Sequence, residues 1–84
     1  MGFEERVRKL IEGQYADAEV NVDFGVGAQK LNGYMVWPGF DGIEMLDRQT
    51  SLYSFLRSQL GPDAQRISII FTYTPDEFAL MNAA

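Results

Sequence analysis

A strand that runs directly into a helix start near the C-terminus constrains this fold more than any other segment. Apolar side chains recur at every second position there, which is the period of a strand with one buried face. They are Ile67, Ile69, Phe71 and Tyr73. Thr74 and Glu77 then have the spacing of a capping box, and Pro75 suits the first helical position. The segment therefore predicts a strand-to-helix corner at Thr74.

The N-terminal part predicts a helix followed by a two-stranded hairpin. Apolar residues at helical spacing indicate an amphipathic helix of about three turns that ends at Gly13. From Ala18 to Val26 apolar and polar residues alternate, as in a strand with one face in water. Glycines between Gly25 and Gly33 predict the turn. The second strand follows and ends at Pro38-Gly39.

The middle of the chain predicts a long second helix. Asp41 and Glu44 form another capping-box pattern, and Gly61-Pro62 ends the helix, which we expect to run from about Gly42 to Leu60. Its predicted buried stripe consists of Met45, Leu46, Leu52, Tyr53, Leu56 and Leu60. Capping explains the acidic residues at both helix starts, so we do not interpret them as catalytic carboxylates.

The predicted order is helix, strand, strand, helix, strand, helix. This is an α+β architecture in which residues 1–84 form a single domain. We expect a three-stranded mixed sheet with the helices packed on one face, because the long helix can serve as a crossover between parallel strands. Glu19 and Asp23 lie on the outward side of the first strand, where carboxylates typically keep an edge in water.

The composition excludes several functions. The chain has no cysteine and no histidine, so it offers neither a thiolate nor an imidazole for catalysis or metal binding. Its net charge of −5, with basic residues spread along the chain, makes nucleic-acid binding an unfavourable interpretation. The longest apolar runs are too short to span a bilayer, and no signal peptide is evident at the N-terminus. We expect no membrane association and a cytoplasmic location.

Three segments carry a family resemblance. Gly39-Phe40-Asp41-Gly42 is similar to a Phe-Glu-Gly turn, and the segment from Leu46 to Thr50 falls in register with an Arg-His-Arg segment. The segment from Phe71 to Phe78 is similar to the ending His-Thr-Tyr-Thr-Pro-Glu-Glu-Trp. By these segments the chain resembles the BolA-like family, whose fold is similar to the type II KH domain. The element order agrees over nearly the whole chain.

The departures from the family pattern bear on function. Family members typically partner monothiol glutaredoxins and help to ligate an iron–sulfur cluster through a histidine at the start of the last strand. That position is Arg66 here, and the two other family histidines correspond to Gln49 and Phe71. A guanidinium stays protonated and cannot ligate iron. In the family, the first hairpin loop can also supply a cysteine or histidine ligand, but here it offers only Gly27, Ala28, Gln29 and Lys30. We therefore expect no metal and no cofactor, and the composition leads us to expect no catalytic residue.

Two candidate sites follow from the pattern. If Met35, Trp37, Ile69 and Phe71 face the helices, the other sheet face is open, and apolar residues there suggest an interface. This candidate interaction surface consists of Tyr34, Val36, Phe55 and Ile70. A candidate polar pocket consists of Trp37, Gln49, Tyr53 and Arg66, since Gln49 interrupts the apolar stripe of the long helix.

We therefore expect a non-enzymatic protein-interaction module, with homodimerisation through the open face as one form of its contacts. One alternative is a small enzyme or ligand-binding protein with a polar pocket near Gln49. The other is a KH-like nucleic-acid binder, which the acidic charge disfavours and for which the chain has no Gly-X-X-Gly loop.

Overall fold

The computed structural model describes residues 2–25 and 29–83. The helices are α1 (Phe3–Gln14), α2 (Met45–Leu60) and α3 (Pro75–Met81), and the strands are β1 (Glu19–Phe24), β2 (Leu31–Val36) and β3 (Ile67–Tyr73). Short 3-10 segments occupy Pro38–Phe40 and Gly61–Arg66. The predictions for the strand end at Val26 and for the loop residues Gly27 and Ala28 fall outside the described residues.

The sheet is three-stranded and mixed, as predicted. Its strand order is β1-β2-β3, with β1 antiparallel and β3 parallel to the central strand β2. The long helix α2 supplies the crossover that a parallel pair needs. The predicted α+β order of helices and strands is therefore confirmed.

Two helix boundaries differ from the prediction. Helix α1 continues through Gly13 to Gln14. Helix α2 begins at Met45 and not at Gly42, because Gly42 has φ of +81° and so adopts the left-handed conformation that interrupts a helix. Asp41 is therefore not the cap, and the actual N-cap residue, Glu44, makes no side-chain cap hydrogen bond.

The capping box at α3 is confirmed. The Glu77 amide donates to Thr74 Oγ1 at 3.2 Å, and the Thr74 amide donates to Glu77 Oε1 at 2.9 Å. The end of α2 is also as predicted, since Gly61 caps it with φ of +58°.

Helices α1 and α2 cover one face of the sheet, which we call the inner face. Helix α3 lies on the opposite face, where Phe78 stacks on Tyr34, so the prediction that the helices pack on one face holds for α1 and α2 and not for α3.

The core on the inner face is formed mainly by Val7, Ile11, Leu31, Met35, Leu52, Leu56 and Ile70. The α2 residues in contact with it recur every four positions, with Arg48 at the head of the row. Leu46 precedes Arg48 by two positions, about 200° around the helix, and is 75% exposed. The prediction that Met45 and Leu46 belong to the buried stripe is wrong.

A one-residue bulge decides which way β3 faces. Leu31 pairs with Ile67, but the next residue of β2, Asn32, pairs with Ile69, so Ser68 is an extra residue in β3. A shift of one residue turns all following side chains to the opposite face. Ile70 is consequently fully buried on the inner face, whereas Phe71 points outward and is 46% exposed.

The predicted orientation of β3 is therefore wrong beyond the bulge. Ile70 does not lie on the open face, and Ile69 and Phe71 do not face α1 and α2. The face opposite those two helices is called the outer face below. Register places three rows across it, namely Glu19–Val36–Tyr73, Asn21–Tyr34–Phe71 and Asp23–Asn32–Ile69.

Candidate functional site

A buried arginine joins three elements at one end of the molecule. Arg48 of α2 is only 6% exposed. Its Nε donates to the Ile43 carbonyl at 2.8 Å, and its Nη1 donates to the Thr72 carbonyl at 3.3 Å. The same guanidinium binds Glu77 of α3 in a bidentate pair, with distances of 2.7 Å and 3.2 Å. Arg48 thus holds α3 and β3 against α2.

This ion pair accounts for the unusual acidity of Glu77. The hydrogen bond from Arg48 lowers the pKa of the Glu77 carboxyl from 4.5 to about 2, and the Thr74 amide contributes in the same direction. A bidentate guanidinium–carboxylate pair is strong and directional. The lowered pKa of Glu77 is therefore explained by a structural role, in which the carboxylate connects α3 to α2.

The predicted polar pocket does not form. Trp37 Nε1 donates to the Ala16 carbonyl at 3.0 Å, and Gln49 Oε1 accepts a hydrogen bond from Thr72 Oγ1 at 2.8 Å. Tyr53 lines a cavity of about 430 Å³ at the end of α2, but the other three predicted residues do not line it. The structure uses these side chains to connect elements and does not bring them together.

Arg66 lies immediately before β3, where the family resemblance places a metal-binding histidine. Its guanidinium lies over the Phe3 ring, 4.2 Å from the centroid, and 5.8 Å from the centroid of Phe24. This is a cation–π contact between the β3 start and α1. Because the chain has no histidine or cysteine and Arg66 cannot ligate iron, its donor set does not fit an iron–sulfur cluster.

The outer face carries a group of four aromatic side chains, which we call the aromatic cluster. It consists of Tyr34, Phe71, Tyr73 and Phe78. Tyr34 stacks on Phe78 of α3 with 4.9 Å between ring centroids, and Phe71 lies nearly parallel to Tyr73 at 6.2 Å. Helix α3 thus covers one part of the outer face, while Phe71 and its neighbour Ile69 extend the apolar surface beyond it.

The predicted interaction surface is only partly assembled. Tyr34 belongs to the aromatic cluster, and Val36 lies on the outer face but is buried. Phe55 packs on the other side of the molecule, edge-on to Tyr15 at 6.3 Å between centroids, and Ile70 is in the core. Phe71 and Phe78 are not among the residues predicted for this surface. Phe78 could have been found from its position after the capping box, whereas Phe71 depends on the bulge.

The free edge of β3 is already occupied at two points. Tyr53 Oη donates to the Ser68 carbonyl at 3.2 Å, and Arg48 donates to the Thr72 carbonyl. Both donors come from α2. Since these carbonyls accept bonds within the chain, the edge is a poor template for an additional strand. The outer face therefore offers a partner a less obstructed surface than these two points of the edge.

Two further observations concern metal binding and membrane crossing. Among residues 2–25 and 29–83, no group of three acidic side chains could hold a metal ion. Over the same residues, no helix has the length and apolar character needed to cross a bilayer.

Solved structures of BolA proteins share this fold. BolA1 from Arabidopsis thaliana matches with a TM-score of 0.74 and 20% identity, over 92% of this chain and 96% of that one. The BolA domain of SufE1 from the same plant gives 0.72 and 21%, over 92% and 98%. A BolA homologue from Coxiella burnetii gives 0.69 and 25%, over 93% and 97%.

Comparison of sequences alone gives a different result. No family model matches the chain, and no curated protein does. The agreement with BolA structures instead covers nearly the full length of both partners in each pair. The agreement is therefore one of backbone structure. It confirms the family resemblance that the sequence segments indicated. This chain has the BolA-like fold.

Proposed function

We propose that this protein is a non-enzymatic interaction module that binds a protein partner through its outer face. The observation that carries the proposal is the aromatic cluster, in which Phe71 is nearly half exposed beside the apolar Ile69. Aromatic residues are enriched where proteins bind one another, and their burial dominates the binding energy of such contacts.

The surroundings of the cluster support a face-on contact. The rings of Tyr34, Tyr73 and Phe78 pack against one another, so the surface is pre-formed and little ordering is needed on binding. The occupied carbonyls of Ser68 and Thr72 disfavour binding by strand addition. A partner would therefore dock on side chains and not on backbone.

The alternatives have less support. The enzyme or ligand-binding alternative relies on a polar pocket near Gln49, whereas Gln49 and Tyr53 are hydrogen-bonded to different residues of β3. Nucleic-acid binding at the outer face would place phosphates against Glu19 and Asp23, which are exposed there. The proposal therefore favours protein over nucleic acid.

Affinity capture from host cells tests the proposal. The intact chain is compared with Phe71→Asp, which places a charge on the cluster, and with Ser54→Asp, which places the same charge on the exposed side of α2. We expect Phe71→Asp to reduce the amount of a captured partner by about tenfold or more, as when a central aromatic residue of an interface is replaced. Ser54→Asp should retain it. Equal recovery with all three proteins would contradict the proposal.

Homodimerisation through the same face stays a prediction. Light scattering at increasing concentration measures it, and Tyr34→Glu should weaken any dimer. A monomer at every concentration would contradict homodimerisation, and the proposed partner would then be a different protein.

A further inference from the structure

A groove continues from the aromatic cluster to the end of the sheet at which β1 begins. Val36, Phe78 and Ala79 line it, together with Pro38 and Pro75, and its volume is about 310 Å³. A second depression of about 230 Å³ shares the two prolines and extends the groove along the start of α3. The floor is thus apolar and offers space for a large side chain of a partner.

The rim of this groove is acidic. Asp17 and Glu19 line the first depression, and Asp41 and Asp76 line the second. All four are exposed, and among the described residues neither depression is lined by a lysine or an arginine. Within residues 2–25 and 29–83, the ion pairs are formed by other carboxylates, such as Glu77 with Arg48 and Glu5 with Lys9.

We propose that this groove binds a lysine or arginine side chain of the protein partner, with an apolar residue beside it in the same segment. The inference rests on the proposed function, because the groove is continuous with the outer face and shares Phe78 with the aromatic cluster. An apolar floor accepts the methylene stem of the basic side chain, and the carboxylates on the rim bind its charged end.

The arrangement fits an organic cation better than a metal ion. The rim carboxylates are spread along two depressions and do not form a group that could hold a metal. A second copy of this chain is a less favourable occupant, because the chain has a net charge of −5 and four of its seven basic residues lie within 4 Å of its own carboxylates.

Selection from a display library of short random peptides tests the inference on the full chain. We expect the enriched peptides to share a lysine or arginine next to a bulky apolar residue. Amide chemical shifts should then move at the groove when a selected peptide is added. Enrichment of peptides without a basic residue, failure to enrich any peptide, or shifts confined to other surfaces would overturn the inference.

A pair of matched double variants isolates the role of charge. Asp17→Asn with Glu19→Gln removes two rim charges, and asparagine suits the left-handed conformation of Asp17, whose φ is +69°. The control, Glu4→Gln with Glu12→Gln, removes two exposed charges from α1. The groove variant should bind a selected peptide about fivefold more weakly, and the control should be unchanged. Equal effects would overturn the inference.

The affinity capture and the peptide binding, taken together, separate this inference from the proposed function. If Phe71→Asp retains every cellular partner while basic peptides still bind the groove, the proposed function fails and the groove site stands. If the cellular partner is lost with Phe71→Asp but basic peptides do not bind, only the groove inference fails. Groove shifts that appear on concentrating the protein alone would identify a second copy as the occupant and would also overturn it.

Discussion

Asp76 and Glu77 are neighbours at the start of α3, yet their carboxylates have opposite surroundings. The Glu77 carboxylate binds the buried guanidinium of Arg48 and accepts a hydrogen bond from the Thr74 amide, and its pKa falls to about 2. Asp76 is exposed on the rim of the groove, which no basic side chain lines. The comparison extends to the two faces of the sheet. Polar groups on the inner face are hydrogen-bonded within the chain, whereas the outer face leaves aromatic rings and carboxylates accessible to a binding partner.

The largest effect on stability is expected on the inner face at Gly33. A Cβ there would overlap the backbone of Asn21 and Val22 on the neighbouring strand β1. We expect Gly33→Ala to cost about 3 kcal/mol or more, or to prevent folding, because backbone cannot move aside. Gly13→Ala is the control, since no atom of the described part of the chain lies within 4 Å of its added Cβ. It should stabilise α1 slightly. Urea unfolding measures both, and a mild Gly33→Ala would show that β1 and β2 can separate.

Removing Arg48 should be the next most costly change. Arg48→Ala leaves Glu77 and two backbone carbonyls without their donor, and we expect a loss of about 2–3 kcal/mol in the free energy of unfolding. Arg57→Ala on the exposed side of α2 should change it by less than about 0.5 kcal/mol. Similar values for the two variants would show that the ion pair contributes little and would break the contrast between the faces.

Acid should weaken the same pair. The folded pKa of Glu77 is about 2, below its ordinary 4.5, so its contribution is complete above pH 4.5 and is lost as the pH falls towards 2. Unfolding measured across that range should show a smaller decline for Glu77→Gln than for the intact protein. Because the Glu77 side chain is 41% exposed, we expect the difference to be modest. Parallel declines would mean that other carboxylates dominate.

The smallest effect on stability is expected on the outer face. Phe71→Ser removes an aromatic ring that is nearly half in water, so we expect a loss of about 1 kcal/mol or less. The same change should greatly weaken partner binding. A loss as large as that for Arg48→Ala would show that Phe71 is a structural residue, and the outer face would no longer differ from the inner one.

Local signals in the sequence predicted the parts of the fold that local chemistry determines. Thr74, Pro75 and Glu77 defined the start of α3, and Gly61 defined the end of α2, because caps depend on a few adjacent residues. The start of α2 was misplaced because a capping pattern at Asp41 does not reveal that Gly42 is left-handed.

The candidate site was harder to predict, because it depends on pairing between strands. Nothing in the composition of β3 indicates that Ser68 lacks a partner, and that bulge alone moves Ile70 inside and Phe71 outside. Arg48 was missed for a related reason. A hydrophobic pattern treats arginine as a surface residue, whereas here Glu77, twenty-nine positions away, makes its burial favourable.

The hydrogen bonds from Tyr53 and Arg48 to the border of β3 have a consequence for behaviour in concentrated solution. Fibril growth begins when an unpaired edge strand of one molecule pairs with a strand of another. At this edge, two backbone carbonyls already accept hydrogen bonds from side chains of α2. Although its outer face is aromatic, the protein is therefore less prone to form filaments through the β3 edge of the sheet.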